Sequence, residues 1–240
     1  MILKVIGSNS AGNAYLLVGA NGTLLIECGV HIDYIKAALK YRLQNVSCIV
    51  THAHGDHAKS IAKVLDAGIP VFANIDTLKA KGVDDHHRSY SINAGKTFTA
   101  SGFRIKPFPV NHDVPCFGYL IEHEECGRVV FLTDTSYSDY KFPGLHNMIV
   151  EANHDVEIME NNGTPGFLKE RIIGSHMNLN TCREMIMAND LSQVNNIVLI
   201  HLSDSNSDAR RFKREIESST GKNVHIAVAG MEIPFNKTPF

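Results

Sequence analysis

The chain has 240 residues, of which 44% are apolar, 20% charged and 8% aromatic, a balance found in folded globular proteins and not in disordered, collagen-like or disulfide-scaffold chains. Lys and Arg (23) nearly match Asp and Glu (25), so no global charge draws the protein to a polyanion and any basic patch must be local. No apolar run approaches the roughly 20 residues needed to cross a bilayer, which excludes a membrane-spanning helix.

In chain order, Met1 to Gly7 alternates like a strand and lacks the basic and apolar regions of a secretion signal, so a cytoplasmic location is expected. The run of small residues from Gly7 to Asn13 suits either a tight hairpin or a turn that offers backbone N–H groups to a phosphate, with Ser8 and Asn9 as candidate substrate contacts. Strands are expected at 14–18, 24–27 and 48–50, with a helix over 31–43 between the last two and another from His57 to about Gly68. The middle reads as strand at 103–107, 117–121 and 129–132. A strand at 148–150, a helix at 179–189, a strand at 197–200, a helix over 208–218 and a closing strand at 224–228 follow. Ser203, Asp204 or Ser205 suits the cap region of that last helix. With no repeat and no linker, residues 1–240 read as one domain of two sheets with helices on their outer faces.

Five scattered cysteines without a C-x-x-C pair imply reduced structural thiols. The unusual count is 13 histidines, and the densest group is Thr51-His52-Ala53-His54-Gly55-Asp56-His57. Such an H-x-H-x-D-H string arises by chance roughly 0.002 times in a chain of this composition. A loop leaving a buried strand can turn His52 and His54 toward one point while Asp56 and His57, beyond a glycine, reach a second. Imidazoles and a carboxylate suit Zn²⁺ and neighbouring transition metals. The competing reading is a polar loop entering a helix, with Asp56 as cap.

The string resembles the signature of the metallo-β-lactamase fold superfamily, which implies an α/β (α+β) four-layer αββα sandwich. The same resemblance picks out His112, in Asn111-His112-Asp113, Asp134, in Leu132-Thr133-Asp134, and His201, in Ile200-His201-Leu202, as further ligands. It implies two divalent ions, zinc or manganese, one held by His52, His54 and His112 and the other by Asp56, His57 and His201, with Asp134 bridging. Such a pair suits hydrolysis, since it lowers the pKa of water toward about 7 and holds both the attacking and leaving oxygens of a phosphoryl group. A diiron, dioxygen-reducing reading calls for more carboxylates and a flavin domain, for which the chain has no room.

The Asn111 to Tyr119 segment is similar to a motif of ribonuclease Z-like phosphodiesterases. Gly7 to Asn13, Val150 to Asp155 and His201 to Asn206 resemble the YycJ/WalJ group within that branch, whose members are proposed DNA exonucleases. The resemblance implies that Asp56 and His176 are catalytic, with His176 donating a proton to the leaving oxygen. His154 is a candidate substrate contact, although His154 and Asp155 also suit the start of a helix, as Asn178 does. Glu27 stands where the family usually has Asp and is expected to brace the metal loop. The histidines outside these motifs (His31, His86, His87, His123, His146, His225) read as surface or structural, and Arg210 to Arg214 as a solvated helix. Only 22 positions separate His112 from Asp134, too few for the extruded arm of enzymes that mature transfer RNA. The substrate is therefore expected to be nucleic acid trimmed from a 5′ end, or alternatively a 3′,5′-cyclic mononucleotide of immune signalling, degraded by enzymes of the phage anti-defence type. A thioester or lactam hydrolase and a non-catalytic metal-binding module are weaker readings, and a homodimer is expected by analogy.

Overall fold

The computed structural model describes residues 1–239. The first sheet forms from β1 (Ile2–Gly7), β2 (Ala14–Val18), β3 (Thr23–Ile26), β4 (Val46–Ile49), β5 (Val71–Ala73) and β6 (Ser89–Ser91), laid side by side in chain order. Its first hairpins are antiparallel, and from β3 to β6 the pairing is parallel. Parallel strands need crossovers, supplied by α1 (Ile32–Ala38), by α2 (Gly55–Ala58) with α3 (Ile61–Asp66), and by α4 (Ile75–Ala80).

The chain then passes once to the second sheet, made of β7 (Phe98–Ala100), β8 (Phe103–Val110), β9 (Cys116–His123), β10 (Gly127–Leu132) and β11 (Asn147–Glu151). Three helices follow, α5 (Val156–Asn161), α6 (Gly166–Ser175) and α7 (Leu179–Met187), then β12 (Asn196–Ile200), α8 (Ala209–Thr220) and β13 (Asn223–Ile226). A last strand, β14 (Glu232–Pro234), returns to the edge of the first sheet beside β1.

Burial explains the layering. Leu3, Tyr15, Phe103, Tyr119 and Phe131 fill the space between the sheets. Separate clusters lie under α1 and α3 on one side and under α7 and α8 on the other. Every residue of β4, β11 and β12 is buried, as strands covered on both faces must be. The result is the expected helix–sheet–sheet–helix sandwich. No helix among the described residues is long and apolar enough to cross a membrane, and all five cysteines are buried and unpaired.

Several boundaries differ from the sequence reading. The first helix ends at Ala38 instead of 43, because Lys40 and Tyr41 turn into the left-handed region at φ 52° and 56°. The expected helix after His57 is split at Ser60, whose hydroxyl leaves the helix axis to donate to the Val30 carbonyl at 2.6 Å. Asp208, not Ser203 to Ser205, caps α8 by accepting from the Arg211 amide at 2.9 Å, and Ser203 instead closes a local turn onto the Asn206 amide. Asp155 and Asn178 cap α5 and α7. The helix α6 has no counterpart in the sequence reading, since none of its residues is buried and it carries no periodic apolar face.

The carboxyl ends of β3, β4, β10, β11 and β12 gather at one rim of the sandwich, where parallel strands release loops that need no ladder partners. Just beyond three of those ends, Glu27, Asp134 and His201 adopt φ of 65°, 52° and 55°. Such angles are uncommon for residues with a Cβ and cost about 1–3 kcal/mol each, so the surrounding structure must enforce them.

Candidate metal centre

The loop after β4 carries His52, His54, Asp56 and His57. Its entry is fixed by Glu27, whose buried carboxylate accepts from the Thr51 amide at 3.2 Å and lies 3.5 Å from His57 Nδ1. The longer side chain in place of the usual Asp thus still reaches the loop. Thr51 Oγ1 engages His52 Nδ1 at 2.9 Å, which fixes the ring and leaves Nε2 buried without a hydrogen-bond partner. That nitrogen, His54 and His112 form one group of converging ligand atoms, with His54 Nδ1 and His112 Nε2 3.3 Å apart. Bonds of about 2.0–2.1 Å to a tetrahedral ion set neighbouring nitrogens at about that separation.

A second group joins Asp56, His57 and His201. Asp56 Oδ2 lies 3.2 Å from His57 Nε2 and 3.3 Å from His201 Nε2, and Asn13 Nδ2 supports the carboxylate from behind at 3.3 Å. Asp134 stands between the groups, its Oδ2 3.0 Å from His57 Nε2, and it forms a further set of converging ligand atoms with His52 and His57. Thr133 Oγ1 donates to the same oxygen at 2.7 Å. Each group draws on both sheets: His52, His54, Asp56 and His57 follow β4, whereas His112, Asp134 and His201 follow β8, β10 and β12.

The electrostatics agree with a cation-binding role. Burial, helped by the charge of His57, pushes His52 well below the usual imidazole range, toward the neutral form that binds metal. Burial is the largest effect on His57 and His201 and acts against their charged forms, but the surrounding carboxylates together outweigh it. Asp134 with Glu27 and Asp56 raises His57 well above its ordinary value, and Asp134 with Asp56 and Glu151 raises His201 to about 10. The Asp134 carboxyl is held low by His57 and His201 in spite of its burial. His201 Nε2, like His52 Nε2, is buried with no hydrogen-bond partner. Leaving such atoms unsatisfied costs about 1–3 kcal/mol each, which a bound cation removes. The chemistry of this donor set therefore fits divalent metal binding.

Glu151, at the end of β11, was not among the residues singled out from the sequence. Its fully buried Oε1 accepts from His176 Nδ1 at 2.8 Å and from His201 Nδ1 at 2.9 Å, and Oε2 accepts from the Met177 amide at 3.2 Å. One carboxylate therefore fixes two imidazoles, each with Nδ1 bound and Nε2 free. His201 turns Nε2 toward Asp56, while His176 lines the open cleft. The hint in the sequence is a lone acid directly after the apolar run Met148, Ile149 and Val150. Glu151→Gln keeps the volume but replaces one acceptor oxygen by a donor. It should weaken the second ion by about 10–100-fold, as measured by calorimetric metal titration, and unchanged affinity would reduce Glu151 to a packing residue.

The cleft above these groups has a volume of about 430 Å³. His54, Asp56, His112, Asp134, His176 and His201 line it, so six of the eight residues read as metal-binding or catalytic face one space, and His52 and His57 lie buried behind them. The three candidate substrate contacts do not line it. Ser8 Oγ accepts from the His201 amide at 3.0 Å and pairs with the Tyr15 hydroxyl, thereby holding the strained His201 backbone. The Asn9 side chain closes a turn onto the Ala11 amide. His154 is fully buried, and burial lowers it to about 4. Their neighbours Ser10 and Asn153 reach the cleft instead, together with Arg171 and Ile172 of α6.

Residues 8–190 match the family described as the Metallo-beta-lactamase superfamily. The chain is 27% identical over 221 residues to an exodeoxyribonuclease WalJ of Streptococcus pneumoniae, covering 85% of this chain and 82% of the relative. It is 26% identical over 223 residues to an exodeoxyribonuclease YycJ of Bacillus anthracis, covering 85% and 83%. Among solved structures, the metallo-β-lactamase fold protein YhfI of Bacillus subtilis superposes with a TM-score of 0.75 at 20% identity, over 97% of this chain and 98% of that one.

Proposed function

Since the chain belongs to the metallo-β-lactamase superfamily, we propose that it is a dinuclear metal-dependent phosphodiesterase, and specifically an exonuclease that shortens DNA from the 5′ end. The observation that carries this reading is His176, an imidazole that neither proposed ion position uses although it clusters with Asp134, Glu151 and His201, fixed through Nδ1 by Glu151 and facing the cleft. A hydrolase whose leaving group departs as a poor alkoxide needs such a donor. The likeness to two exodeoxyribonucleases over most of the chain points to the same substrate class.

His52, His54 and His112 would hold one ion, Asp56, His57 and His201 the other, and Asp134 would bridge them. When bound, the ions supply Lewis-acid activation of water and neutralise charge on the phosphoryl oxygens. The chain supplies the rest. Asp56 Oδ2 is taken by its histidine contacts, and the second oxygen of this partly exposed carboxylate is left to orient the attacking water. His176 Nε2–H faces the opposite side of the reacting phosphate and gives its proton to the departing oxygen. Glu151 keeps the Nδ1 proton in place, so that the ring regains the Nε2 proton from solvent and not from its own other nitrogen.

One observation favours the cyclic mononucleotide as the alternative substrate: among the described residues, Arg171 is the only Lys or Arg lining the cleft, and a polynucleotide backbone usually recruits several cations. The deciding experiment offers the Mn²⁺- and Zn²⁺-loaded protein 5′-labelled DNA and a panel of 3′,5′-cyclic mononucleotides. Stepwise shortening with the cyclic esters intact is expected. Ring opening with DNA untouched would replace the exonuclease reading.

A further inference from the structure

Among the described residues, the ten-residue helix α6 has no fully buried side chain, yet it forms a wall of the cleft through Leu168, Arg171, Ile172 and Ser175. It runs directly into His176, so each of its turns marks a distance from the reacting phosphate. Arg171 lies five residues back, about 7.5 Å along the axis, a spacing close to that between neighbouring phosphates on an extended strand. Its neighbour Lys169 is held by Glu160 at 2.7 Å, whereas no described carboxylate pairs with Arg171. One turn further out, on the same side as Arg171 by the i, i+4 rule, Phe167 stands 77% exposed. An exposed aromatic ring beside a free guanidinium, continuous with a hydrolytic cleft, is the combination that binds single-stranded nucleic acid by stacking and backbone neutralisation.

We propose that α6 is the track for the strand flanking the cut, with Arg171 holding the phosphate next to the scissile one and Phe167 stacking the base beyond it. The proposal rests on the phosphodiesterase reading and narrows it to substrates with at least two phosphates, that is, a polynucleotide end and not a cyclic mononucleotide. It assigns the single cation of the cleft to a position one phosphate away from the chemistry.

The test compares Arg171→Ala and Phe167→Ala with the unaltered protein in two assays. The first is turnover of a single-stranded oligonucleotide against bis(p-nitrophenyl) phosphate, which has one phosphate and no flanking strand. Each variant is expected to raise KM for the oligonucleotide about tenfold and to leave the small diester within about twofold. Equal losses on both substrates would place Arg171 at the scissile phosphate and overturn the track. The second assay is anisotropy of a fluorescein-labelled oligonucleotide on the His176→Ala background, which reads binding without turnover. Here Arg171→Ala should weaken binding about tenfold and reduce the log–log salt slope by about 0.7. Failure of the unaltered protein to cleave either substrate, with binding still lost in the variants, would sink the hydrolytic reading and keep the track. Unchanged binding would sink the track alone. A Phe167→Ala protein that halves its mass by light scattering while binding DNA normally would make this face an interface between two copies, and the proposal would fall.

Discussion

Replacing Asp134 with alanine is expected to abolish hydrolysis, with a fall of about 10⁴-fold or more in kcat/KM, equivalent to at least about 5 kcal/mol of transition-state stabilisation. The bound metal should drop from two ions per chain to one or none. The reason is positional. Asp134 is the buried anion between the two ligand groups, 3.0 Å from His57 Nε2 and 3.7 Å from His201 Nδ1, and without it two imidazoles face each other with no charge between them. Asp134→Asn separates charge from volume: it keeps the fit in the core but loses the anion, and should lose the same ion. Metal content by mass spectrometry, read beside DNA shortening, checks both variants. A protein that kept full activity would remove the two-metal mechanism.

His176→Ala should behave differently. Its turnover should fall by about 10²–10⁴-fold, the range of a lost general acid, with both ions retained. The proximity of His176 Nδ1 to Asp134 and Glu151, at 3.3 and 2.8 Å, leaves room for a competing role as a ligand, and metal content tells the two apart. Leaving-group chemistry gives a second readout. A p-nitrophenyl ester departs without needing a proton, so the deficit on such a substrate should shrink to about tenfold or less. A deficit of the same size on DNA and on the activated ester would take the acid role away from His176.

The metal-ligand candidates legible in the sequence share one property: each lies in a loop that leaves a strand, whereas His176 follows a helix. His52 and His54 come after a wholly buried β4, Asp134 after β10 and His201 after β12, so strand ends and ligands could be read together. Glu151 also ends such a strand, but a single acid after three apolar residues looks like any strand terminus until its two histidine partners arrive from 25 and 50 positions away. The positions of Ser8 and His154 away from the cleft are hard to read for the opposite reason. A hydroxyl and an imidazole are polar letters, and nothing local shows that one spends its oxygen on the His201 amide and the other is wholly enclosed. The helix α6 escaped notice because its sequence has no inward face for periodicity to reveal.

The origin of the ligands in two sheets has a thermodynamic consequence. Because each of the two proposed ion positions draws its ligands from both sheets, an ion bound there would act as a clamp across the rim, and its binding free energy would add to the cohesion of the two halves. Apparent stability then becomes a property of the solution as well as of the chain, rising by about 2.7 kcal/mol for each site when free metal exceeds its dissociation constant a hundredfold. Chelation should lower the melting temperature in proportion. A cell short of the ion would meet a protein that is looser as well as inactive.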